Sequence, residues 1–66
     1  YMRYQIMSEK ENAPGSGFTP FFETEDFEEA KAFAMRLAFD GQYRVFVFDQ
    51  KVGDKIRDFE DPKYRD

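Results

Sequence analysis

The stretch from Asp26 to Gly41 is the one part of this chain that reads as a helix, and nothing else in the sequence limits the fold as strongly. Asp26-Phe27-Glu28-Glu29 has the form of a capping box, with Asp26 as N-cap and Glu29 at N3. Glu28 and Glu29 suit the positive end of a helix dipole. Phe27, Ala30, Phe33, Ala34, Leu37 and Ala38 recur at helical spacing as one apolar stripe, with Lys31, Ala32, Met35 and Arg36 outside it. Gly41, after Asp40, is expected to close the helix in a left-handed conformation. A lone helix covers one face of one sheet.

The flanking segments supply the sheet. Met2 to Ser8 alternates, with Met2, Tyr4 and Ile6 on one side and Arg3, Gln5 and Met7 on the other, as in a half-buried strand. Glu9 to Gly17 is polar, with Asn, Pro, Ser and two Gly, and reads as a loop too long for a tight hairpin turn. Phe18 to Thr24 is aromatic and strand-like. Pro20 lacks a ladder donor, so this strand belongs at an edge or carries a bulge. Tyr43 to Asp49 is a strand, Lys51-Val52-Gly53-Asp54 a turn and Lys55 to Phe59 a shorter strand, together a hairpin. The order is β-loop-β-α-β-β. It predicts a small two-layer α+β domain, a three- to four-stranded antiparallel sheet with one helix on one face. The domain spans residues 1–60, and 61–66 are expected to be a charged, frayed tail.

Strand parity then assigns the faces. Arg44 and Gln50 flank Phe46 and Phe48, which places that set away from the helix and Tyr43, Val45 and Val47 beneath it. The same reasoning places Tyr4, Ile6 and Ile56 inside, and Arg3, Gln5, Met7, Lys55, Arg57 and Phe59 outside. The outer set combines cations (Arg3, Arg44, Lys55, Arg57) with apolar groups (Met7, Phe46, Phe48, Phe59) and contains no acid. The acids instead crowd the helix start at Glu23, Glu25, Asp26, Glu28 and Glu29.

Composition narrows the chemistry. The chain has 66 residues, 14 acidic and 10 basic, with neither Cys nor His. Disulfides, thiolate or imidazole metal sites, and Cys or His catalysis are excluded. Asp49 and Asp54 flank a glycine turn, but a calcium loop needs oxygen ligands where Lys51 and Gly53 stand. Gly15-Ser16-Gly17 lacks the Lys-Ser/Thr ending and following helix of a phosphate loop. Gly41 to Phe48 does not fit the aromatic strand of RNA-recognition domains, because Gln42 stands where that pattern needs an aromatic. No apolar run reaches the ~18 residues of a membrane span. Met2 reads as the natural start, with Tyr1 appended, and the absence of Cys fits the cytoplasm.

Nine Phe and four Tyr are many for a core this thin, so some are expected at the surface or under a partner. The expected function is non-enzymatic and cofactor-free. Arg3, Arg44, Phe46, Phe48, Lys55, Arg57 and Phe59 would present a basic-aromatic sheet face to a protein partner or a second copy, in the manner of an accessory subunit or a phage-type inhibitor. Asn12, Pro14, Gly15 and Ser16 would form a contact loop. The rival expectation is that the same face binds nucleic acid or a nucleotide, stacking bases on Phe and holding phosphates with Arg and Lys.

Overall fold

A computed structural model describes residues 2–10, 15, 17–40 and 43–65. They form β1 (Tyr4–Lys10), β2 (Thr19–Thr24), α1 (Phe27–Asp40), β3 (Tyr43–Asp49), β4 (Asp54–Lys55) and a 3-10 turn at Pro62–Tyr64. The strands make one four-stranded antiparallel sheet in the order β2-β1-β3-β4. The chain is therefore the two-layer α+β domain read from the sequence. Both β2 and β3 run against β1, hence parallel to each other. The helix carries the chain across β1 from one flank to the other, which is the role of a crossover helix.

Helix α1 starts where its cap dictates. Asp26 accepts from the Glu28 N–H at 3.0 Å. The second half of the box differs from the sequence expectation. Glu29 accepts a hydrogen bond from the Thr24 hydroxyl, which itself accepts from the Asp26 N–H at 3.1 Å, so the reciprocal contact runs through Thr24. Gly41 lies outside the described residues, as do Tyr1, Asn12, Pro14 and Ser16.

The apolar stripe meets the inner sheet face. Tyr4, Ile6, Phe27, Ala30, Ala34, Val47, Ile56 and Tyr64 are the buried core, with Phe22, Phe33, Leu37, Val45 and Phe59 packed against it. The small Ala30 and Ala34 let the helix sit close to the sheet. Aromatic pairs fill the margins: Tyr4 meets Phe27 edge-on at 5.7 Å, and Phe33 stacks on Phe22 at 4.5 Å. As Pro20 requires, β2 is an edge strand. Its register slips opposite Ile6/Met7, so that Ile6 pairs Phe22 while Met7 pairs Pro20.

Two expectations are corrected at the C-terminal end. The last strand is only Asp54–Lys55, followed by a single Ile56 N–H bond to the Val47 carbonyl at 2.8 Å. The chain then turns so that Phe59 reaches Phe27, 5.9 Å between rings, on the helix side of the sheet. Burying Phe59 there removes more apolar surface from water than two further ladder bonds would offset. Nor are residues 61–65 a frayed tail. Asp61 caps the 3-10 turn by accepting from the Lys63 N–H, Pro62 occupies its first turn, and Tyr64 is only 2% exposed. The Tyr4 hydroxyl donates to the Tyr64 carbonyl, locking this turn to β1.

Candidate functional site: the open sheet face and the β3 edge

The helix covers one side of the sheet, and among the described residues the other side carries no second layer. In the β1–β3 ladder, Gln5, Met7 and Glu9 pair with Phe48, Phe46 and Arg44, so these six share the open face. Phe46 lies at its centre. Phe18 packs on one flank of Phe46 with ring centroids 5.0 Å apart, and the Lys55 ammonium sits 5.6 Å from its ring on another. Met7, Phe46 and Phe48 are half-buried and Phe18 is exposed. The result is an apolar ridge with one cation lying over it.

The electrostatics differ from the sequence expectation in three ways. Arg3 does not belong to this face. Its guanidinium stacks on the Tyr4 ring and makes a bidentate pair with Asp49, 2.9 Å for each bond, on the helix side. Phe59 is also absent from the face, as described above. Acids, on the other hand, are present. β1 runs on to Lys10 instead of ending at Ser8, which brings buried Glu9 beside Arg44, with Arg44 Nη1 donating to Glu9 Oε1 at 3.2 Å. Glu9 Oε2 accepts from the Gly17 N–H at 2.9 Å, and Glu23 accepts from Gln5 Nε2 at 3.0 Å. Arg57 is exposed and lies 3.9 Å from Asp54. Of the proposed contact loop, Gly15 is described, exposed in a turn at φ +88°.

Asp49 is the polar centre that parity alone does not explain. It is fully buried, on the inner face opposite Tyr4. Besides Arg3, it accepts from the backbone N–H groups of Lys51 at 3.0 Å and Val52 at 3.4 Å, fixing the β3–β4 turn. Burial pushes its carboxyl pKa up. The Arg3 bonds, the two turn N–H groups and the Arg3 charge outweigh this, and the net displacement is below the ordinary 3.8. This carboxylate is structural: every contact it makes holds a strand end or a turn.

No family model, curated protein or solved structure matches the chain. The site is therefore read from its geometry alone. Among the described residues, no three Asp or Glu side chains converge to hold a metal ion, and no helix is long and apolar enough to cross a membrane.

One feature the sequence reading did not single out lies at the border of the two faces. A groove of about 190 Å³ runs between the second half of α1 and the end of the sheet, lined by Ala34, Ala38, Val45, Ile56 and Phe59. Phe46, from the opposite sheet face, lines it too, so the groove wraps around the edge of β3. Met35, 58% exposed, also lines the groove, and Phe39, 93% exposed, continues the apolar surface along the helix. The signal in the sequence was Met35 itself, an apolar residue outside the buried stripe.

Proposed function

We propose that this protein is a non-catalytic binding module of the cytoplasm that engages a protein partner through its open sheet face. The observation that carries this reading is the one-sided cover of the sheet. The bare face offers an apolar ridge of Met7, Phe18, Phe46 and Phe48, with Lys55 and the Arg44–Glu9 pair beside it. An aromatic ridge with mixed polar borders is the composition of a protein interface. A phosphate-tracking surface needs cations in excess. Here Arg3 faces Asp49, Arg44 faces Glu9 and Arg57 leans toward Asp54, which weighs against nucleic acid.

The test is site-directed photo-crosslinking. A photoreactive residue replaces Phe48 on the open face or, as control, Ala32 on the exposed side of the helix. A product of discrete mass from the Phe48 position, absent from the Ala32 position and lost on adding Lys55→Glu, is the expected result. Equal labelling from both positions, or none, would reject the reading. Binding of a single-stranded oligonucleotide that weakens steeply with salt would replace it with the nucleic-acid alternative. A mass by light scattering that doubles with concentration would identify the partner as a second copy.

A further inference from the structure

Among the described residues, the edge of β3 is open over half its length. The Gln50 N–H donates to the Arg3 carbonyl at 2.7 Å, in register with the β1–β3 ladder. Backbone groups alternate in direction along an antiparallel strand, so those of Arg44, Phe46 and Phe48 point toward β1. Those of Tyr43, Val45, Val47 and Asp49 point the other way. On that side the Asp49 carbonyl accepts from Gly53 and the Val47 carbonyl from Ile56, both at 2.8 Å. There β4 ends, and among the described residues no strand pairs with Tyr43 or Val45 on this side.

We propose that this edge is a docking site for an extended peptide strand, apolar on one side and acidic on the other. It adjoins the ridge of the open-face reading at Phe46 and goes beyond that reading. Three observations define the occupant. The N–H and carbonyl groups of Val45 and Tyr43, which meet no strand among the described residues, ask for one, the conformation that satisfies them in register. The groove under α1 would take every second side chain, and its lining of Ala34, Ala38, Val45, Ile56 and Phe59 selects apolar ones. The intervening side chains would emerge on the open side, near the exposed Lys55 ammonium and the Arg44 guanidinium, which spends one of its five donors on Glu9 and keeps the rest toward solvent. Acidic groups complement these cations.

The net charge of −4 does not oppose this, because screening at physiological ionic strength limits its reach to about 8 Å. The same cations disfavour a second copy. Two-fold pairing of β3 with itself would bring both sets of Arg44 and Lys55 onto one face. The opposite sheet edge is not equivalent: β2 carries Pro20 and a register break, both of which obstruct strand addition.

The probes are capped hexapeptides of alternating Glu and Val, of alternating Lys and Val, and the Glu/Val peptide N-methylated on its pairing amides. Hydrogen exchange of single amides in the full chain is the readout. With saturating Glu/Val peptide, exchange at Val45 should slow by at least about tenfold, while Phe46, already bonded to β1, stays unchanged. The Lys/Val and N-methylated peptides should leave Val45 unaffected. Ala38→Glu, an exposed helix position at the groove, should abolish the Glu/Val effect without unfolding the chain. The proposal is overturned by unchanged exchange at Val45, by equal slowing with the Lys/Val or N-methylated peptide, or by slowing that follows protein concentration alone. Phe48→Glu separates the two readings: it should remove the open-face interaction and leave the peptide effect at Val45 intact.

Discussion

Removing the Asp49 carboxylate should destabilise this domain more than any other single polar change. At about 0.05–0.15 kcal/mol per residue, 66 residues have a total stability of roughly 3–10 kcal/mol. Asp49→Ala deletes the bidentate acceptor for Arg3 and the acceptor for two turn N–H groups. Breaking a buried ion pair by removing one partner costs about 3–5 kcal/mol. The Arg3 side chain keeps 13% exposure and can partly rehydrate, which places the value near the lower end, about 3 kcal/mol. Asp49→Asn retains an oxygen for the turn but loses the charge, for about 1–3 kcal/mol. At roughly 4–8 °C per kcal/mol in a domain of this size, the Asn variant should melt about 4–24 °C below the parent. Urea unfolding of the parent, both Asp49 variants, Arg3→Met and the double variant measures the coupling directly. An Asp49→Ala cost below about 1 kcal/mol at unchanged m value, or a coupling indistinguishable from zero, would refute the argument.

Its pH dependence follows from the same contacts. The folded-state pKa of Asp49 lies below the ordinary 3.8, so the unfolded chain takes up the proton first as pH falls. The contribution is fully present above the unfolded value and is lost below it, as pH falls through the folded one. Parent stability attributable to Asp49 should be flat from neutral pH to about 4–5 and decline below that, and Asp49→Asn should lack this part of the decline.

Other outcomes follow from single contacts. Asp26→Ala should cost about 0.5–2 kcal/mol in urea unfolding, because the Glu28 N–H loses its acceptor. Phe27→Ala, which empties the space between Tyr4 and Phe59, should cost about 3–5 kcal/mol. Deleting residues 61–66 should cost at least about 3 kcal/mol through loss of buried Tyr64, whereas a disordered tail would be dispensable. Phe39→Ser should leave the melting temperature within the shift expected for about 0.5 kcal/mol, because that ring is 93% exposed.

The elements legible in the sequence are those set by local periodicity. The helix stripe from Phe27 to Ala34 and the inward parity of Tyr4, Ile6, Val45 and Val47 depend on spacing within one element, and the fold preserves it. The misplaced residues depend on contacts that parity does not see. Strand parity directs Arg3 outward, yet its long side chain reaches the buried carboxylate of Asp49. The telling signal was Asp49 itself, whose parity with Val45 and Val47 directs a carboxylate inward and so demands a cation. Phe59 and Tyr64 turn inward only because the chain leaves the sheet after Ile56. Asp61-Pro62, read as a tail, carried an N-cap and a first-turn proline that mark a helical turn. Glu9 joined the open face because β1 continues to Lys10, beyond the last apolar residue of the alternation.

The open edge of β3 is a consequence of that same C-terminal departure. Had Lys55 to Phe59 remained a strand, it would have paired Val45 and closed the ladder. Drawing Phe59 under α1 instead brings an aromatic ring onto Phe27 and frees the Val45 backbone in the same step. The groove follows as well, since Phe59 and Ile56 form its floor while Ala34 and Ala38, too small to fill the space, form its roof. An exposed, apolar β edge favours aggregation unless something restrains it. In this chain the restraint is local charge: Arg44 beside the open stretch and Lys55 at its end. Replacing these cations, not the Val residues between them, is therefore the change that should turn the edge from selective to self-associating.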